Sequence, residues 1–226
     1  YLYDGGEDYV LLGGSDSHLE SSLLNQFDAQ RRLLAPGSKD GFAPGEGAAF
    51  LLLTRHPERA LCHKGHIIAL SPPGVAEEPG HLFSDEPYKG DGLDKAFKQA
   101  LKDHSGSPIS AVYSSMNGEH HWAKEYGVAM LRNKPCFHEQ VEIEHPAECY
   151  GDLGAATGAA LMVVAAEHLF KRSGPATYLA YSSSDGSWRA ATLMEKLAYQ
   201  TSAAPPDPIR HPALDSDWPE TRSEAE

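Results

Sequence analysis

Positive charge is scarce in this chain. Its 226 residues hold 19 Lys and Arg against 32 Asp and Glu, a net charge of −13. A surface of that sign excludes nucleic acid as a natural partner, because phosphate binding needs clustered cations. Cysteine is scarce as well. Cys62, Cys136 and Cys149 show no paired spacing, which excludes a disulfide framework and points to reduced thiols in a cytoplasmic setting. No apolar run has the length of a membrane span; the longest apolar helical stretch, at 155–166, is rich in Ala and Gly and runs into Glu167 and His168. Tyr1 opens directly into Asp4, Glu7 and Asp8, so no secretory leader is read there. Twelve histidines are present, but pairs such as His63 and His66 or His120 and His121 lack companions at ligand spacing. No metal and no cofactor is expected.

What remains is an ordinary globular composition, 41% hydrophobic and 23% charged. Residues 9–12 read as a buried strand stopped by Gly13-Gly14. Leu19, Leu23, Leu24 and Phe27 follow at helical spacing. Asp40-Gly41-Phe42-Ala43-Pro44-Gly45-Glu46-Gly47 is a glycine-punctuated turn that feeds the apolar run 48–53, the pattern of a strand covered on both faces. Glu46 at its mouth needs a partner to offset burial. Further strands are expected at 66–70, 109–113, 141–144, 177–181 and 188–197, and helices at 92–103, 119–132 and from the Gly151–Ala159 entry to about 171. Residues 74–90, broken by Pro79 and Pro87, read as a long loop. Alternating strands and helices predict an α/β layered fold with a largely parallel sheet and an antiparallel edge. Beyond Gln200 the chain turns proline-rich and acidic. Residues 207–226 carry six acids against Arg210 and Arg222, so −4 of the charge lies there and −9 in the body, and this tail is expected to be disordered.

The wording of two stretches is more specific than their pattern. Val10-Leu11-Leu12-Gly13-Gly14-Ser15-Asp16, followed by Asp40-Gly41-Phe42-Ala43-Pro44-Gly45-Glu46-Gly47-Ala48, resembles the β-ketoacyl synthases (3-oxoacyl-acyl-carrier-protein synthases) of the thiolase fold. There a Gly-Gly strand end leads to a "DGF-x-x-GEGA" turn. The resemblance implies a layered αβαβα fold, of which 1–54 would be the end of the first half, 55–198 the whole second half and 199–226 the tail. It also implies a missing N-terminal half, or a homodimer mate, as packing partner.

The family's catalytic cysteine precedes the Gly-Gly strand, a position this sequence does not include, and none of its three cysteines matches it. Cys149, near a helix entry, reads either as a reactive thiol or as a buried inert one. Asn117, in Asn117-Gly118-Glu119, stands where the family's first histidine is expected; a register slip would offer His120 or His121 instead. Asp152, in Gly151-Asp152-Leu153-Gly154-Ala155-Ala156-Thr157-Gly158, stands at the second histidine. Ser184-Asp185-Gly186 occupy the place of the closing glycine-rich turn, and Asp40, Gly45, Glu46 and Gly47 are implied to be scaffold of the site, Glu46 beside the active centre. The family histidines polarise a carbonyl and stabilise an enolate. An asparagine can donate one such hydrogen bond, whereas a carboxylate opposes the charge that develops.

The resemblance therefore leaves two functions open. One is a catalytically degenerate ketosynthase-like adaptor, since similar wording occurs in proteins encoded beside bacterial secretion effectors. The other is part of an active acyltransferase whose cysteine comes from an upstream segment, consistent with a chain that opens on Tyr1, or from a partner chain. An acyl carrier protein is the less expected partner, because it too is acidic.

Overall fold

The computed structural model describes residues 2, 5–38 and 40–199. Apart from Tyr199, the acidic tail lies outside these residues. Strand β1 (Tyr9–Ser17) pairs antiparallel with β2 (Glu46–Thr54), Tyr9 facing Thr54 and Ser17 facing Glu46. Helix α1 (Ser21–Ala29) lies in the connection between them. Gly13-Gly14 does not stop β1, which continues to Ser17. Gly14 instead lets the strand cross the loop at Ala155, whose carbonyl oxygen occupies the space a Cβ would need.

The remaining strands form one sheet, built from β3 (His66–Leu70), β4 (Gly74–Glu77), β5 (Ile109–Ser114), β6 (Phe137–Glu144), β7 (Thr177–Ser183) and β8 (Trp188–Ala198). Its order is β3-β8-β7-β5-β6, and β4 shares with β3 the outer edge of β8. The expectation of a largely parallel sheet is corrected. β5 runs parallel to β6 and β7, but β7, β3 and β4 all run antiparallel to β8. The tight 184–187 turn forces the β7–β8 hairpin, because a parallel pair needs a crossover. β4 lies in the stretch expected to be loop; at four residues it is too short to show periodicity.

Helices α2 (Asp91–Ala100) and α3 (His120–Arg132) cover one face of this sheet, burying Leu93, Phe97, Ile109, Val112, Leu179 and Leu193. Beyond the short helix α4 (Ala147–Tyr150), helix α5 (Thr157–Lys171) covers the other face, packing Leu161 and Leu169 over Ala111, Tyr113, Tyr178 and Met194. The alternation of Ala111, Val112 and Tyr113 along β5 assigns successive side chains to the two cores. The β1–β2 pair packs against α5 from its far side. The layers are therefore helix, sheet, helix, sheet.

One expectation fails in an informative way. The apolar run of β2 reads as a strand covered on both faces, and that of β1 as a buried strand. Among the described residues they are not: Leu11 and Leu52 are each 67% exposed and Phe50 56%.

Candidate functional site

Two loops bring Asn117 and Asp152 together. The first leaves the end of β5 and turns through Asn117-Gly118-Glu119 into α3. The Asn117 side-chain oxygen accepts the Glu119 N–H at 3.1 Å, which fixes the amide. The second runs from α4 to α5. There Asp152 Oδ1 accepts the Gly154 N–H at 2.9 Å and the Thr157 hydroxyl at 3.5 Å, closing the turn ahead of the helix. Asn117 Nδ2 then donates to Asp152 Oδ2 at 2.8 Å and to Glu119 Oε2 at 3.2 Å. The two positions singled out by the resemblance are direct hydrogen-bond partners, 35 residues apart.

The glycine turn at 41–47 holds the second loop in place. The Asp152 N–H donates to Ala43 O at 2.8 Å, and the Gly45 N–H donates to Asp152 O at 3.0 Å. A Cβ on Gly45 would sit 2.5 Å from Tyr150 O, so this approach requires glycine. A Cβ on Gly47 would meet only the Leu153 side chain, at 3.3 Å, so the demand for glycine is weaker there. Asp40 accepts the backbone N–H of His120 at 2.8 Å and so satisfies a free donor at the start of α3. Glu46 behaves differently from what was expected. It is exposed at the end of β2 and accepts the Ser17 hydroxyl at 3.1 Å, so no buried carboxylate stands there.

Sequence reasoning missed the charged centre of the site. Arg32, just past α1, is buried. Its Nε and Nη2 each donate to Glu119 at 2.8 Å, and its Nη1 and Nη2 donate to Asp185 at 2.7 and 3.1 Å. Burial opposes the charge on Arg32, but hydrogen bonds and charge from Glu119 and Asp185 outweigh it and raise the guanidinium pKa above its ordinary value. The Phe42 ring of the glycine turn lies 5.2 Å from the guanidinium carbon. Trp122 Nε1 donates to Glu119 at 3.1 Å. A continuous polar chain thus runs Asp185–Arg32–Glu119–Asn117–Asp152 and ends on the turn before α5.

The expected turn at 184–186 presents Asp185 to this chain. Ser184 Oγ donates to Trp188 O at 3.2 Å, and the Ser184 and Gly186 carbonyls accept from Arg189 at 2.8 and 2.7 Å. Arg189 is fully buried and ion-paired with Glu125, and Ser183 Oγ donates to Glu125 at 2.6 Å. One signal pointed to Arg189: a lone cation opening the apolar run that continues to Leu193. Arg32 had none, since a cation after a helix usually meets solvent.

The alternative histidines do not join the polar chain among the described hydrogen bonds. His120 is exposed, and His121 is half-buried between Tyr88 and Trp122, with ring centroids 5.0 and 4.7 Å away. Cys149 and Cys62 are exposed, and Cys136 is half-buried. The buried-thiol reading of Cys149 is therefore corrected. Among the described residues no three His, Cys, Asp or Glu side chains are grouped to hold a metal ion, and no helix is long and apolar enough to cross a membrane.

No family model matches the chain. Solved structures do. The ketosynthase from module 6 of the bacillaene synthase of Bacillus subtilis 168 superposes with a TM-score of 0.70 at 18% identity, covering 89% of this chain and 44% of its own. The oxazolomycin ketosynthase domain of Streptomyces albus JA3453 gives 0.71 at 13%, covering 92% and 44%. A third match, a type II PKS acyl-carrier protein in complex with its ketosynthase bound to the hexaketide, gives 0.68 at 20%, covering 85% and 57%. The chain has the thiolase fold of these ketosynthases, and it spans about half the length of the solved chains it matches.

Proposed function

We propose that this is a ketosynthase-like protein without condensing activity that serves as a cytoplasmic binding or adaptor protein. The supporting observation is the bond from Asn117 Nδ2 to Asp152 Oδ2 at 2.8 Å. A condensing site must aim free donors at an oxygen that becomes negative. Both donor contacts of the Asn117 amide end on carboxylates, Asp152 and Glu119. Turning that amide toward a substrate would break two hydrogen bonds to charged groups, each worth about 1.5–3 kcal/mol. The substrate oxygen would also meet the Asp152 carboxylate, which repels a developing enolate. No described hydrogen bond ties a cysteine to the network, and the acidic body opposes docking of an acidic carrier protein. A protein client, such as a bacterial secretion effector, fits this reading.

The test uses the intact natural protein with malonyl-loaded acyl carrier protein. The expected result is no carbon dioxide release and no ketide product, with or without iodoacetamide. Decarboxylation or condensation abolished by iodoacetamide would refute the proposal in favour of an active acyltransferase whose cysteine lies on an upstream segment or a partner chain.

A further inference from the structure

Charge is unevenly spread over this fold. Residues 89–134, which include α2 and α3, hold seven Lys and Arg against five Asp and Glu, in a chain of net charge −13. Four of those five acids are already engaged. Glu119 and Glu125 are buried against Arg32 and Arg189, while Asp91 pairs with Arg132 and Asp94 with Lys98. Lys89, Lys95, Lys102, Lys124 and Lys134 are exposed and have no ion pair among the described residues. Between Lys124 and Lys134, Leu131 is 70% exposed. We infer that this outer helical layer docks an amphipathic α-helix of a partner protein, whose apolar stripe covers Leu131 and whose flanking Asp and Glu meet the lysines of α2 and α3.

Three observations select that occupant. The first is the face of α3. Lys124, Gly127 and Leu131 recur at helical spacing, and a Cβ at Gly127 would meet no atom within 4 Å. The glycine leaves a flat place beside an exposed leucine, where another helix can approach closely. The second is continuity. Asp94 accepts Lys98 Nζ at 2.8 Å and lies 3.8 Å from Arg132 Nη1, so the cations of α2 and α3 share one surface. Lys95, Lys98 and Lys102 follow one another along the exposed side of α2 and the turn after it. The third is charge complementarity. The rest of the chain repels an acidic helix and this layer attracts it, which fixes where such a helix settles. The net charge acts only weakly beyond about 8–10 Å at physiological salt, so the nearby lysines decide. The exposed leucine favours a polypeptide over a phosphate polymer.

The position of the layer separates it from the other faces of the molecule. α2 and α3 lie outermost, and the β1–β2 pair stands beyond both the six-stranded sheet and α5, so whatever completes that pair is remote from here. Lys102 precedes β5 and Lys134 precedes β6, two parallel strands whose starts lie at one end of the sheet. Asn117 follows β5 at the other end. A carrier protein, which must bring its cargo to the Asn117–Asp152 centre, is therefore not the occupant. The inference rests on reading the chain as a binding protein and names the partner's chemistry. Its test reads binding alone, so its failure leaves the absence of condensation untouched.

The probe is a fluorescent, covalently stapled helical peptide of 13 residues, the length of α3, with a leucine stripe flanked by glutamates. It is titrated into the intact natural protein while sedimentation velocity records the oligomeric state. The expected result is saturable binding that weakens as salt rises. Leu131→Glu, and separately Lys124→Glu with Lys134→Glu, should each weaken it at least about tenfold. Leu52→Glu, on β2, leaves it unchanged, and a peptide with lysines in place of its glutamates does not bind. All these positions are exposed, so every variant should melt as the parent does. Absent or non-saturable binding, equal binding of the lysine peptide, or indifference to Leu131→Glu overturns the inference. So does a dimer that Leu131→Glu dissociates, because the occupant would then be a second copy. A single-stranded oligonucleotide that binds more tightly than the peptide overturns it in favour of nucleic acid.

Discussion

Removing the Arg32 guanidinium while keeping its bulk, by Arg32→Met, tests the polar chain directly. Arg32 neutralises two carboxylates of unequal exposure. Glu119 is 7% exposed, whereas the Asp185 side chain is 41% exposed and can rehydrate. The cost therefore concentrates on Glu119, left as an uncompensated buried charge. Breaking one side of a buried pair costs about 3–5 kcal/mol. For a chain of this size that corresponds to a melting temperature about 6–20 °C lower. Adding Glu119→Gln should restore most of the loss, since the amide needs no counter-charge and can still accept from Trp122. Urea denaturation of the parent, both single variants and the double variant gives the coupling energy. If Arg32→Met cost under about 1 kcal/mol, or Glu119→Gln failed to rescue it, the claim that Arg32 compensates a buried charge would be wrong.

Other consequences can be measured independently. Burial lowers the His121 pKa below its ordinary value of 6.5. The unfolded chain then binds the extra proton first, so the stability that depends on neutral His121 is complete above about pH 6.5 and falls as pH drops toward the folded-state pKa. Denaturant midpoints between pH 5 and 7.5 should show this slope, and His121→Gln should flatten it. Gly14→Ala drives a methyl into the Ala155 carbonyl and should destabilise strongly. Gly127→Ala, inside α3 where a Cβ meets nothing within 4 Å, should stabilise by about 0.5–1 kcal/mol; a loss there would mean that α3 packs against something on that face. Exposed Cys149 should be alkylated by iodoacetamide in the folded protein, without loss of secondary structure by circular dichroism.

The architecture was legible where a period or a motif repeats over enough residues. Leu93 and Phe97 set the buried face of α2, and the turn from Asp40 to Gly47 named the thiolase fold. Asn117 and Asp152 were legible as positions by that same resemblance. Their direct bond was not, because nothing local in either loop specifies the other. The charged centre was hidden for the same reason: Arg32 meets Glu119 across 87 residues and Asp185 across 153. Gly13-Gly14 misled because a pair of glycines marks a strand end and a close crossing equally well. The runs in β1 and β2 misled differently. Their composition specifies a two-sided burial that the described residues provide on one side only.

The 153-residue span between Arg32 and Asp185 also orders events during synthesis. Arg32 is made early, and one of its two counter-charges arrives only with the β7–β8 hairpin. Until that turn emerges from the ribosome, Glu119 is the one of the two carboxylates available to the guanidinium. The Arg32–Asp185 pair therefore has the longer loop to close of the two pairs that Arg32 makes. A chain truncated before residue 185 would carry the whole of α5 and the Glu119 partner of Arg32, yet lack the second carboxylate that the buried guanidinium grips.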